Sequence, residues 1–129
     1  MIEDQLPVTS NQGMETIKNF YDLETWKAAH QLALQIYRIT KNFPKDELYG
    51  IVSQLRRAAS SVGANIAEGF ERYYYKDKVR FYHQARASVA EVQNFLFLSR
   101  DLAYIDDKIF DDSFEKLRDI GKLLNGLIK

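Results

Sequence analysis

Residues 54–69 read QLRRAASSVGANIAEG, and this stretch decides the fold. With the residues just before it, Leu48, Val52, Leu55, Ala59, Val62 and Ile66 step by 4, 3, 4, 3 and 4. That rhythm holds one apolar stripe of a helix against a partner helix. Gln54, Ser61, Asn65 and Glu68 form a polar line beside the stripe, and Arg57 shares that flank. We read these five with Glu91 as a structural motif, in which Glu68 and Glu91 accept hydrogen bonds from Arg57, Gln54 or Asn65. The motif is then expected to tie the second helix to the third.

Working outward, the same helical signal covers the chain from about residue 24. Trp26, Ala29, Ala33, Ile36, Tyr37 and Thr40 line one face of a first helix, which Pro44 stops because its ring blocks continuation through the preceding residue. Asp46 is the expected N-cap of the second helix, and Gly69 its expected end. Gly63 inside it costs about 1 kcal/mol relative to alanine, which suggests a kink or a close neighbour. A third helix starts near Asp77 and runs to Leu102, and Asp106 or Asp107 opens a fourth. In that fourth helix Phe110, Phe114, Leu117, Gly121, Leu124 and Ile128 repeat the 4, 3, 4, 3, 4 rhythm.

Four helices, three short connections and no alternating strand pattern specify an all-α, up-down-up-down four-helix bundle over residues 21–129. Residues 1–20 are polar, include Pro7 and Gly13, and read as a mobile tail. The third helix carries two apolar lines. Phe81, Tyr82, Ala85, Val89, Val92, Leu96 and Ala103 make one; Val79, Arg86, Ala90, Phe97 and Tyr104 make another about a third of a turn away. One bundle core does not easily bury both, so the second line is read as the seam of a homo-oligomer.

Composition narrows the classes of function. With 129 residues there is room for one core, and the absence of cysteine excludes disulfides and thiolate metal sites. No apolar run reaches the roughly 18–20 residues of a membrane span, and the first residues lack a signal-peptide pattern, so a cytoplasmic location is expected. Eighteen basic residues balance eighteen acidic ones, but unevenly. Residues 52–100 hold eight bases against four acids, whereas residues 101–129 hold five bases against seven acids.

Catalytic chemistry finds little footing. Di-iron bundles use Glu-x-x-His pairs, yet His30 and His83 follow Lys27 and Arg80 at that spacing. His30 is expected at the core margin with a hydrogen bond. There is no phosphate-binding glycine loop and no dinucleotide fingerprint. We therefore expect no metal, no cofactor and no enzyme. Glu68 and Glu91 are the one carboxylate pair to consider for acid–base work. Arg56, Arg72, Lys76, Lys78 and Arg80 are candidates for nucleic-acid contacts. Tyr73, Tyr74, Tyr75 and Tyr82 lie among the last four, supplying rings on which bases can stack beside cations for phosphates.

Several of these residues also carry a family resemblance. Asp22-Leu23 with Trp26, Phe43-Pro44 with Glu47, and Gln54, Arg57-Ala58-Ala59, Ser61 and Asn65-Ile66-Ala67-Glu68-Gly69 resemble the bacterial four-helix-bundle family encoded by intervening sequences in 23S ribosomal RNA genes. Ala85, Ser88 and Glu91 extend the match. Gly63 falls where that family often has proline, and Ala87 where it often has glycine. The resemblance implies a homo-oligomer, a ring of five protomers in known relatives. It also implies a link to the more basic accessory proteins of retroelement reverse transcriptases, which engage both enzyme and RNA. Two functions stay open at this point. One is a pentameric scaffold binding RNA or single-stranded DNA; the other is an adaptor that recognises only a partner protein.

Overall fold

A computed structural model describes residues 17–129. Four long helices carry the fold: α1 (Glu24–Thr40), α2 (Ser53–Glu71), α3 (Tyr75–Asp101) and α4 (Asp107–Ile128). Among the described residues all regular structure is helical. Each helix packs on the next in sequence, and α4 closes the ring on α1. Neighbours run antiparallel. Trp26 of α1 lies by Gly63 of α2 while Thr40 bonds Arg56; Arg57 of α2 meets Glu91 of α3 while Gly69 meets Tyr82. Phe97 of α3 packs on Phe110 of α4, and Arg86 on Asn125. This is the up-down-up-down bundle expected from the periodicity.

The expected stripes supply the core. Val52, Leu55, Ala59, Val62 and Ile66 are buried in the second-helix region, and Tyr82, Ala85, Val89, Val92 and Leu96 in α3. Leu32, Ile36, Leu117, Ile120 and Leu124 meet them from α1 and α4. Burying an aliphatic side chain of this size contributes about 1.5–3 kcal/mol, so these layers dominate stability. The tail assignment for residues 1–20 falls largely outside the described residues; Ile17 packs against the core and Phe20–Asp22 form a single 3₁₀ turn.

The entry to α2 differs from expectation. Lys45–Glu47 form a 3₁₀ turn and Leu48–Val52 a π turn, with Gly50 at φ −108° and ψ −114°. The capping carboxylate is that of Glu47, not Asp46: it accepts the Ile51 amide at 3.4 Å. This irregular turn rotates Leu48 out of the stripe, leaving it 48% exposed. The bend thus sits at Gly50. Gly63 causes none, because α2 runs unbroken from Ser53 to Glu71. Gly69 does not end α2 either. It lies inside the helix, where a Cβ would stand 2.7 Å from the Tyr82 ring, and the chain leaves the helix only at Arg72. A close approach, not a turn, requires that glycine.

Helix α4 opens as expected, with the Asp106 carboxylate accepting the Ile109 amide at 2.8 Å. Helix α3 ends in a turn with Ala103 at φ 63°. Tyr104, beyond that turn, donates its hydroxyl to Glu47 at 2.7 Å and sets its ring 5.3 Å from Phe43. That pairing brings the α3–α4 connection and the α1–α2 connection to the same end of the bundle.

Candidate nucleic-acid interface

The α2–α3 corner occupies the other end. Arg72 is extended, with its amide donating to the Gly69 carbonyl, and the Tyr74 carbonyl accepts the amides of Asp77 and Lys78 to start α3. Three residues, Arg72, Tyr73 and Tyr74, therefore make the turn, which pushes Tyr73 and Tyr74 outward. They stand 62% and 43% exposed, edge to face at 4.9 Å. Tyr75 turns inward instead, donating its hydroxyl to the last carbonyls of α4, at Leu127, Ile128 and Lys129.

The five candidate cations do not form one group. Arg72 and Arg80 both lie over the Phe81 ring, at 4.5 and 5.5 Å from its centre, and Lys76 is exposed near them. Cations held over a ring are partly ordered in advance. Acids stand close by, with Glu68 at 3.9 Å from Arg72 and Asp77 at 4.0 Å from Arg80. Both pairs are solvent-exposed and weak. A shallow hollow of about 390 Å³ lined by Phe20, Ala67, Glu68, Glu71 and Arg72 adjoins the corner.

Lys78 leaves the surface. It is buried, and its ammonium donates to the carbonyls of Phe70 and Gly69, capping the end of α2. Burial pushes its pKa down, and nearby Glu71 opposes that shift. A lysine spent on two helix-terminal carbonyls is structural. Arg56 is also separate. Sixteen residues before Arg72, it lies about 24 Å away along α2, its Nε on the Thr40 hydroxyl at 2.9 Å and its guanidinium 4.7 Å over Tyr37.

The polar motif is partly interhelical and mostly local. Arg57 donates to Gln54 on its own helix and to Glu91 on α3, so that one pair does tie α2 to α3. Ser61 donates to the Arg57 carbonyl and Asn65 to the Ser61 carbonyl, each one turn back. Glu68 faces Arg72, the extended residue just past the end of its own helix, at 3.9 Å. Since Glu91 meets Arg57, eleven residues before Glu68, the two carboxylates are about 16 Å apart along α2 and cannot act as a pair. His30 is exposed and stacked on Trp26 at 4.7 Å; it has no place at the core margin.

The seam residues find partners inside the protomer. Arg86 donates to Asn125 at 2.7 Å, Phe97 packs at a tilt on Phe110 and edge-on against Phe114, Tyr104 holds Glu47, and Val79 is half-buried. Ala90 stays exposed, and so does Phe97, at 43%.

Sequence reasoning missed a third locus, where Tyr37, Leu48 and Tyr49 stand exposed beside Arg56. The signal was present in Leu48-Tyr49-Gly50, because a glycine directly after two large apolar residues lets the chain turn them away from the core. Among the described residues no group of three or more His, Asp or Glu side chains is placed to hold a metal ion. No helix among them is long and apolar enough to cross a membrane.

The described residues define an all-helical class, a four-helix bundle with exposed cation–aromatic surfaces. Within that class, the chain belongs to the 23S rRNA-intervening sequence protein family, whose model matches residues 21–126. A Bacteroides thetaiotaomicron protein of unknown function from the S23 ribosomal protein family, solved at 1.70 Å, shares the fold with a TM-score of 0.73. It is 23% identical, over 81% of this chain and 98% of its own. No curated protein matches the chain.

Proposed function

We propose that this chain is a non-enzymatic, homo-oligomeric bundle, a pentamer by family resemblance, that binds RNA or single-stranded DNA. One observation carries the reading: Arg72, Lys76 and Arg80 stand with the exposed rings of Tyr73 and Tyr74 on one rigid corner. Phosphates supply nonspecific affinity through the cations, and bases stack on rings whatever their sequence. A single corner is weak, since Glu68 and Asp77 offset part of its charge. Repetition around an oligomer converts weak contacts into avidity.

Titration of a fluorescently labelled uridine oligomer, read by anisotropy against salt, tests this. Three phosphate contacts per protomer imply a log–log salt slope of about −2 for a single strand. The triple variant Arg72→Ala, Lys76→Ala, Arg80→Ala should bind at least about tenfold more weakly with unchanged helicity. A salt-independent signal, or none at low salt, rejects the reading. The second reading, an adaptor for protein alone, is favoured by the exposed Tyr37, Leu48 and Tyr49. It expects the oligonucleotide to be ignored at every salt concentration.

A further inference from the structure

Two exposed aromatic patches lie at one end of the bundle and on opposite sides of it. The first fills the α1–α2 groove. Tyr49 is 92% exposed, and with Tyr37 and Leu48 it borders two adjoining hollows of about 410 and 260 Å³. Lys41, Lys45, Arg56 and Arg57 surround these hollows. Of the two nearby acids, Asp46 is exposed, while Glu47 is turned inward onto Tyr104 and the Ile51 amide. Arg57 is paired with Glu91. This rim is basic.

The second patch lies in the α3–α4 groove, where exposed Phe97 packs at a tilt on buried Phe110 and edge-on against Phe114. The helical turn of about 100° per residue sets Asp107, Asp111 and Glu115 beside Phe114, all three exposed. Arg100, lying over Phe97 and Phe110 and paired with Asp101, Lys108, paired with Asp112, and Arg118 on α4 are the bases there. The acids outnumber them, so this rim is acidic. In a ring of four helices the α1–α2 groove faces away from the α3–α4 groove. The Tyr104–Glu47 bond puts both patches at the same height.

We propose that the Tyr37–Leu48–Tyr49 patch of one protomer seats on the Phe97–Phe114 patch of a second copy, with Lys41 and Lys45 facing Asp111 and Glu115 across the seam. The inference rests on the reading of the chain as a homo-oligomer and names its interface. Each patch carries like charge and repels itself, which rules out a two-fold contact. Basic rim on acidic rim is the attractive arrangement. Two different patches at one height make the contact heterologous, and a rotation between successive copies closes a ring. Every copy then points the same way, and all the Arg72–Arg80 corners fall on one rim of the assembly.

Size-exclusion chromatography with light scattering on the full chain, at tens of micromolar and low salt, tests the seam. Lys41→Glu with Lys45→Glu, and separately Asp111→Lys with Glu115→Lys, should each weaken self-association about 100-fold or more. The chain carrying all four changes should recover it. Tyr49→Ala, which removes a side chain outside the core, should weaken association about tenfold with unchanged circular dichroism. Wild-type mass for both double variants overturns this seam and leaves an oligomer standing. A monomeric wild type overturns the oligomer reading and the seam with it. Lost oligonucleotide binding with intact assembly in Lys41→Glu, Lys45→Glu assigns the patch to nucleic acid and also overturns the seam.

Discussion

At Gly69 a methyl group would stand 2.7 Å from the Tyr82 ring and 3.1 Å from the Lys78 carbonyl, neither of which can move without opening the α2–α3 contact. Gly69→Ala should therefore lower stability by about 2–3 kcal/mol in denaturant unfolding. Gly63 is the opposite case. A methyl there meets Trp26 at 3.4 Å and Ala29 at 3.9 Å, ordinary contacts on a continuous helix, and Gly63→Ala should gain about 0.5–1 kcal/mol. Both glycines look alike in the sequence; only the distance to the neighbouring helix separates them. Tyr82 itself is buried with an unpartnered hydroxyl, and burial raises its pKa above the ordinary 10.0. Because the folded value exceeds the unfolded one, the folded state binds more protons above pH 10.0, and stability falls there. Lys78, with a depressed value, acts in the opposite sense and is finished by its ordinary 10.5. Tyr82→Phe should then match or exceed wild-type stability at neutral pH, within about 1 kcal/mol, and lose less between neutral pH and pH 11. A larger alkaline loss in the variant would contradict this assignment.

At the scale of elements, the helices were legible and their ends were not. Apolar spacing located α2, α3 and α4 because a buried stripe must recur at the helical period whatever surrounds it. The Leu48–Val52 π turn was hidden because Leu48 continues the spacing of the stripe although Gly50 breaks the backbone between Leu48 and Val52. Lys78 was taken for a surface cation since nothing local distinguishes it from Lys76. Its fate was set by the carbonyls of Gly69 and Phe70, brought to it by the tight α2–α3 turn. The second line of α3 was read as an outer seam; α4 covers part of it, and Phe97 remains exposed there. The polar flank was read as a tie between the second and third helices, and its one interhelical pair, Arg57–Glu91, has side chains 57% and 34% exposed. Exposed pairs contribute about 0–1 kcal/mol, so Arg57→Ala should change the denaturation midpoint only slightly. Lys78→Met, which leaves two helix-terminal carbonyls without a donor, should cost about 1–3 kcal/mol. Equal costs for the two variants would mean that the Arg57 pair carries weight the geometry does not assign to it.

For the whole molecule, charge is distributed by height as well as by side. The end holding Tyr37, Tyr49 and Phe97 carries opposite charge in its two grooves, while the far end carries Arg72, Lys76 and Arg80. In a head-to-tail ring the first end joins copies and the second is displayed on a rim, so assembly and ligand binding use separate surfaces. Raising salt should accordingly release nucleic acid before it separates protomers, because each corner draws its affinity chiefly from cations on phosphates whereas the seam buries apolar side chains as well. Absorbance and mass followed together across a salt series would show the order of the two losses.

The most direct measurement is light scattering on the full wild-type chain at low salt, with absorbance at 260 and 280 nm recorded across the eluting peak. The account predicts a mass near five times the 15.0 kDa chain, with a 260 nm excess that disappears in high salt. A single 15.0 kDa species at tens of micromolar, with the absorbance of protein alone, would contradict it.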